Sequence, residues 1–188
     1  AGHPIESFAE TGAFDHTDQP VGYPMVPPVT GAHAPSAGQC GTYSQQIPDE
    51  NFVHNLEHGV VAILFDPGTV DQATVNAIEG LIGEYDDHTL SAPYAGMETP
   101  ITVASWGEMM RLETFDEAAA REYIDTFRGD GPEDQPCDNS AEDHFEVAPA
   151  EATPSPSPTE GNDGGGGGGN NGGNNGGGGG NGGSNNDN

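Results

Sequence analysis

The sequence predicts an α+β fold: one compact domain with a small mixed sheet and two main helices, an extended N-terminal arm and a low-complexity C-terminal tail. Three observations predict it. Apolar runs of strand length (Val60 to Phe65, Ile101 to Trp106, Met109 to Leu112) alternate with two stretches whose apolar residues recur at helical spacing. Gly, Pro and Asp punctuate the boundaries between them. Nearly all large apolar residues fall between positions 21 and 137, a span of about 117 residues that suffices for one core.

Residues 1–20 are polar and without periodicity, which reads as an arm and not a core element. Tyr23-Pro24-Met25-Val26-Pro27-Pro28 cannot be a regular helix, because each proline removes a donor and restricts the residue before it, so it should run extended over the surface. Val60 to Phe65, ended by Asp66-Pro67-Gly68, reads as a buried strand and a turn. Thr69 is placed to cap a helix whose Val70, Ala73, Ala77, Ile78, Leu81 and Ile82 fall near helical spacing, with Gly83 as its stop. Two strands follow, separated by the turn residue Gly107. Asp116 caps a last helix with Ala119, Ala120, Tyr123, Ile124 and Phe127 facing inward, and Gly129 ends it.

The domain divides as 1–20 arm, 21–137 α+β domain, 138–160 acidic and Pro/Ser/Thr-rich stalk, and 161–188 tail. The stalk composition resembles segments that carry O-linked sugars, with Thr153, Ser155, Ser157 and Thr159 as candidate sites. In the tail 16 of 28 residues are Gly and 9 are Asn, so no hydrophobic core can form there. Such a segment is either a soluble spacer or, because chains without Cβ approach closely and Asn amides form ladders, a self-assembly element.

The formal charge is −28, from 3 arginines, no lysines and 31 carboxylates. This excludes nucleic acid as a partner, since phosphate binding needs the opposite sign. Carboxylates spread from Glu6 to Asp187 suit a protein kept soluble in high salt, where self-repulsion is screened. No apolar run approaches the roughly 20 residues of a membrane span. A chain opening on Ala1 is expected to be a processed, secreted product. Cys40 and Cys137 could form one bridge closing about 97 residues and stabilising by roughly 4 kcal/mol; alternatively a Cys40 thiolate is a metal ligand.

The chemistry concentrates in His54-Asn55-Leu56-Glu57-His58. If helical, it places His54 and His58 on one face, able to share an ion, and His33 is a third imidazole. Glu57, Cys40 or Met97 could complete the set; sulfur favours copper and a carboxylate or water favours zinc. The structural alternative is that these imidazoles hydrogen-bond backbone groups at a loop mouth. His-x-x-Glu-His also matches the inverted zinc-peptidase motif, but the domain is small for that cleft and the downstream Glu79 and Glu84 belong to a surface helix. His3, His16, His88 and His144 read as solvated loop residues, Phe65, Tyr94 and Trp106 as core or rim aromatics, and Ser105 lacks a nucleophile elbow.

Taken in order, Tyr23-Pro24, Pro27-Pro28, Gly31-Ala32-His33, Cys40-Gly41-Thr42-Tyr43, Glu50, Val53-His54-Asn55-Leu56-Glu57-His58-Gly59, Ser91-Ala92-Pro93-Tyr94 and Ala104-Ser105-Trp106-Gly107 resemble the DUF3105 family over residues 21–137. These are secreted or membrane-tethered bacterial domains without an established biochemical role. The resemblance implies a second cysteine after the last helix and a Pro-rich turn, which Cys137 after Pro132 and Pro136 supplies, and so favours the Cys40–Cys137 bridge. It also places His33, His54 and His58 in motif positions. The resulting expectation is a non-enzymatic, secreted metal-binding module, carrying copper or zinc and acting as a homo-oligomeric subunit of an extracellular filament or polymer. A monomeric extracytoplasmic copper or zinc carrier is the alternative, and a small metallohydrolase ranks last.

Overall fold

The computed structural model describes residues 2–133 and 135–142. The tail, most of the stalk, the four candidate sugar sites and His144 lie outside the described residues. The elements in chain order are β1 (Ile5–Ser7), β2 (Gly41–Thr42), α1 (Asp49–Glu57), β3 (Val61–Phe65), α2 (Gln72–Ile82), β4 (Thr89–Pro93), β5 (Ile101–Ser105), β6 (Glu108–Leu112), α3 (Glu117–Phe127) and β7 (Ala141–Glu142). The strands form one mixed sheet in the order β1-β6-β5-β3-β4-β2-β7.

Strand β3 lies at the centre, parallel to β4 and antiparallel to β5. Its five residues are all buried because both faces of the sheet are covered, which explains an apolar run without alternation. Val61, Ile63 and Phe65 join the core made with α2 and α3, while Ala62 and Leu64 join the core made with Phe52, Val53 and Leu56 of α1. The chain is thus layered, with α1 on one side of the sheet and α2 and α3 on the other. The α+β class agrees with the sequence reading, and α1 is a third helix beside the two expected.

Helix α1 follows Pro48 and has Asp49 and Glu50 in its first turn, where a proline lacking N–H and acidic side chains favour a start. Phe52, Val53 and Leu56 supply its apolar contacts, but His54, Asn55 and Glu57 are buried too, and these polar positions blur its period. Asn55 is satisfied on both sides: its Oδ1 accepts from Gly38 N–H at 2.9 Å and its Nδ2 donates to Gly38 O at 2.8 Å.

Three local readings change. Helix α2 is capped by Asp71, which accepts from Thr74 N–H at 2.8 Å, and not by Thr69. Thr69 N–H donates to Asp66 O at 3.0 Å, so it still belongs to the Asp66-Pro67-Gly68 turn. Within the proline segment Pro27 and Pro28 are buried, so only part of it runs over the surface. Residues 5–7 of the arm, read as irregular, form the edge strand β1 against β6, because backbone pairing and not side-chain burial holds them. Asp116 caps α3 as expected, accepting from Ala119 N–H at 3.1 Å, and Gly129 follows with φ +77°. Cys40 and Cys137 are bonded with Cα atoms 5.6 Å apart, tying the start of β2 to the segment beyond α3.

Candidate metal centre

The last turn of α1 presents His54, Glu57 and His58 to two loops. The first is residues 31–34. His33 Nδ1–H donates to Gly31 O at 2.8 Å, which orients the ring and turns Nε2 to Glu57 Oε2 at 2.9 Å. His54 repeats the device: Nδ1–H donates to Ala34 O at 2.7 Å, again freeing Nε2. A backbone acceptor on one ring nitrogen is the support that metal-ligating histidines use to orient the other.

The N-terminal arm brings the third imidazole. Residue 33 accepts from Thr17 N–H at 2.8 Å and donates to Asp15 O at 3.0 Å, so His16 and His33 sit side by side as a parallel bridge. Gly12 makes this approach possible: at φ +69°, a Cβ there would overlap the backbone of Gly31 and Ala32. Phe14 takes φ +63° and aims its N–H at Glu57 Oε1, 2.5 Å away.

The outcome is a near-equilateral triangle of imidazoles. Ring centroids are 5.1 Å apart for His16 and His33, 4.9 Å for His16 and His54, and 4.8 Å for His33 and His54. Glu57 Oε2 lies 2.9 Å from His33 Nε2 and 3.9 Å from both His16 Nε2 and His54 Nε2. Donors bound to one tetrahedral ion at about 2.0–2.1 Å stand about 3.3 Å from each other, and the four ligand atoms, all within 4.8 Å of one another, would close in to seat an ion here. The His16, His33, His54 and Glu57 set could hold a metal ion. Burial holds the His54 imidazole below its ordinary range, with His58, His33 and His16 acting the same way and the Ala34 hydrogen bond opposing, which favours the neutral, ligating form.

A second loop, residues 129–133, meets the end of α1. Gly129 N–H donates to Gly59 O at 2.8 Å and Glu133 N–H donates to Glu57 O at 3.1 Å. This brings Glu133 Oε2 to 3.2 Å from His58 Nε2 and 4.0 Å from His54 Nε2, so His54, His58 and Glu133 make a second set.

The profile of one family covers this whole constellation, from residue 15 to residue 139, and it is described as a protein family of unknown function. The chain belongs to the DUF3105 family. No curated protein and no solved structure matches it. The match begins one residue before His16 and so takes in residues 15–20 of the arm.

Of the sequence candidates, His33, His54 and Glu57 come together, while His58 stands with Glu133. Cys40 is in the disulfide and Met97 packs, partly buried, against the α1-side core. His16 and Glu133 were missed. Neither has a local signal: His16 lies in a polar arm, and Glu133 meets His58 across 75 positions of sequence. His3 pairs with Asp116, and His88 contacts Gln135 O. Trp106, read as a core or rim aromatic, is buried in the α1-side core, its indole N–H donating to Glu10 and its ring edge-on to His33 at 6.1 Å. The backbone-bonding alternative for the imidazoles turns out compatible with ligation, since it engages Nδ1 and leaves Nε2.

Proposed function

We infer that this DUF3105 domain is a metal-binding module that holds one transition-metal ion between His16, His33, His54 and Glu57. The observation that carries this reading is the imidazole triangle closed by the fully buried Glu57 carboxylate. Two lone pairs 2.9 Å apart on His33 and Glu57 need a positive charge between them, a proton or a metal ion. Three nitrogens and one carboxylate oxygen, with no thiolate available, favour zinc or copper(II) over copper(I).

A binding role is favoured over hydrolysis by the state of Glu57. Its Oε1 accepts from Phe14 N–H and its Oε2 is the oxygen turned to the imidazoles, so in this reading Glu57 holds the ion and is not placed as the base for a metal-bound water. We further propose that the domain is a secreted subunit of an extracellular assembly joined through residues 161–188, whose Gly and Asn content permits close backbone pairing.

Metal analysis of the purified full chain tests the first proposal. About one zinc or copper per chain is expected, with His33→Ala and Glu57→Gln lowering it. Protein without stoichiometric metal, and variants indistinguishable from it, would overturn the reading. Electron microscopy of native material tests the second. Ordered polymers that disappear when residues 161–188 are deleted support it, and monodisperse monomers with unchanged metal content would instead favour a carrier.

A further inference from the structure

We propose that the two ligand sets are two positions of a single ion, an outer loading position at His58 and Glu133 and an inner resident position at His33 and Glu57, with His54 common to both. The proposal rests on the metal-binding reading above. Its basis is the His54 imidazole. Nδ1–H is held by Ala34 O at 2.7 Å, so Nε2 carries the only lone pair. That nitrogen is 3.9 Å from Glu57 Oε2 and 4.0 Å from Glu133 Oε2, nearly midway between the two carboxylates. One nitrogen lone pair serves one ion, so both sets cannot be complete at once. Bridging two ions would require removing the Nδ1 proton that Ala34 O holds.

A graded exposure runs along the same residues. Side-chain exposure is 30% for Glu133, 15% for His58, 6% for His54 and 0% for His33 and Glu57. A cation arriving from solvent meets the Glu133 carboxylate first, and a chain of net charge −28 draws it there. The outer set offers two imidazoles and a carboxylate, whereas the inner set offers three imidazoles and a carboxylate, so the ion gains one ligand by moving inward. His54 keeps hold of it during the move. His16, an inner ligand at 41% exposure, opens the inner position to solvent directly, so the rival route has a definite residue.

Cobalt(II) is the probe, because its visible absorption reports its ligands, and the full chain freed of metal is mixed with it in a stopped-flow instrument. The wild type is expected to take up one ion per chain. His58→Ala combined with Glu133→Gln should bind one ion with the same final spectrum but load about tenfold more slowly, the low end of what a charged cleft mouth adds to an on-rate. Glu133→Gln alone, nearly isosteric at a part-exposed position, should slow loading in the same direction. His33→Ala should retain one weakly held ion with a different spectrum. Two cobalt ions per wild-type chain would overturn the single-ion reading. Unchanged loading in both outer-position variants would overturn the route, and a slowing confined to His16→Ala would place entry at His16 instead. A wild-type chain that binds no cobalt, zinc or copper would instead refute the metal-binding reading itself.

Discussion

Substituting Gly131 by alanine tests how the outer carboxylate is positioned. An alanine Cβ there would overlap Glu57 O and Gly59 N and lie 2.8 Å from Gly59 Cα, all backbone atoms that cannot turn aside. The loop 129–133 must therefore lift from the end of α1. Overpacking of this kind costs about 1–3 kcal/mol. Weakening the Gly129–Gly59 and Glu133–Glu57 backbone hydrogen bonds adds about 1 kcal/mol each. The loss of glycine freedom in the unfolded chain offsets about 0.4–1 kcal/mol. The expected net loss is about 2–4.5 kcal/mol, or roughly 6–18 °C in Tm for a domain of this size. Differential scanning calorimetry of metal-free protein measures it. Gly129→Ala is the control: its Cβ would meet nothing within 4 Å, and the cost comes from φ +77° alone, about 1–2 kcal/mol. A Gly131→Ala protein within about 2 °C of wild type would mean that the loop is not seated as described, and the placement of Glu133 beside His58 would fall with it.

Three further outcomes are expected. Replacing Cys40 and Cys137 together by serine removes a cross-link spanning 97 positions and should lower stability by about 4 kcal/mol, seen as a lower urea midpoint; a change under about 1 kcal/mol would contradict the bridge as a stabilising element. Burial first, with the charge of Glu108 acting in the same direction and the Ser105 contacts opposing, pushes the Tyr123 phenol above its ordinary value. The folded state therefore holds that proton more tightly than the unfolded one, so stability should be full below about pH 10 and fall as pH rises beyond it. In an alkaline titration tyrosinate absorbance from Tyr123, assigned by Tyr123→Phe, should appear together with loss of circular dichroism; ionisation well before unfolding would refute this. Finally, metal should tie the arm to α1 through His16, so zinc should slow proteolysis near residues 9–15 in the wild type and not in His16→Ala; equal protection in both would exclude His16 as a ligand.

Strands β3, β5 and β6 and the helices α2 and α3 were legible because their signals are local, whereas β4 was missed, its Thr89-Leu90-Ser91-Ala92-Pro93 carrying too few large apolar residues to mark a buried strand. Val61 to Phe65 is apolar throughout because helices cover both sheet faces, and Asp116 caps α3 from the adjacent position in sequence. Helix α1 was hidden by its buried polar residues: His54, Asn55 and Glu57 occupy buried positions that apolar residues would otherwise mark. The strands β1, β2 and β7 are too short for a period, and their placement comes from pairing with distant partners. The same distinction runs through the site. The α1 residues could be read from their spacing, but His16 reaches Glu57 through a backbone bridge and a close glycine contact that only the folded chain creates.

Charge supply gives the site its logic. The chain has three arginines and no lysine. Arg111 pairs with Glu6 and Glu98, Arg121 with Glu84 and Glu117, and Arg128 with Asp87, all on the surface. Glu57 is fully buried, and among the described residues its ion-pair partners are imidazoles alone. A buried carboxylate needs a compensating cation or proton, because desolvating an isolated charge costs several kcal/mol. Protonating one imidazole would supply that charge, but it removes a lone pair from the triangle and sets a cation beside two other rings. A divalent ion would supply it while using the Nε2 of His33 and His54, and would make both residues ligands and not merely spectators of Glu57. On that reasoning Glu57→Gln should do more than weaken binding: with the carboxylate gone, the metal-free domain should become more tolerant of neutral imidazoles and gain stability relative to its metal-loaded form. Calorimetry of both states in wild type and variant measures that gap. A gap between loaded and metal-free protein as wide in Glu57→Gln as in the wild type would show that the carboxylate does not couple to the ion.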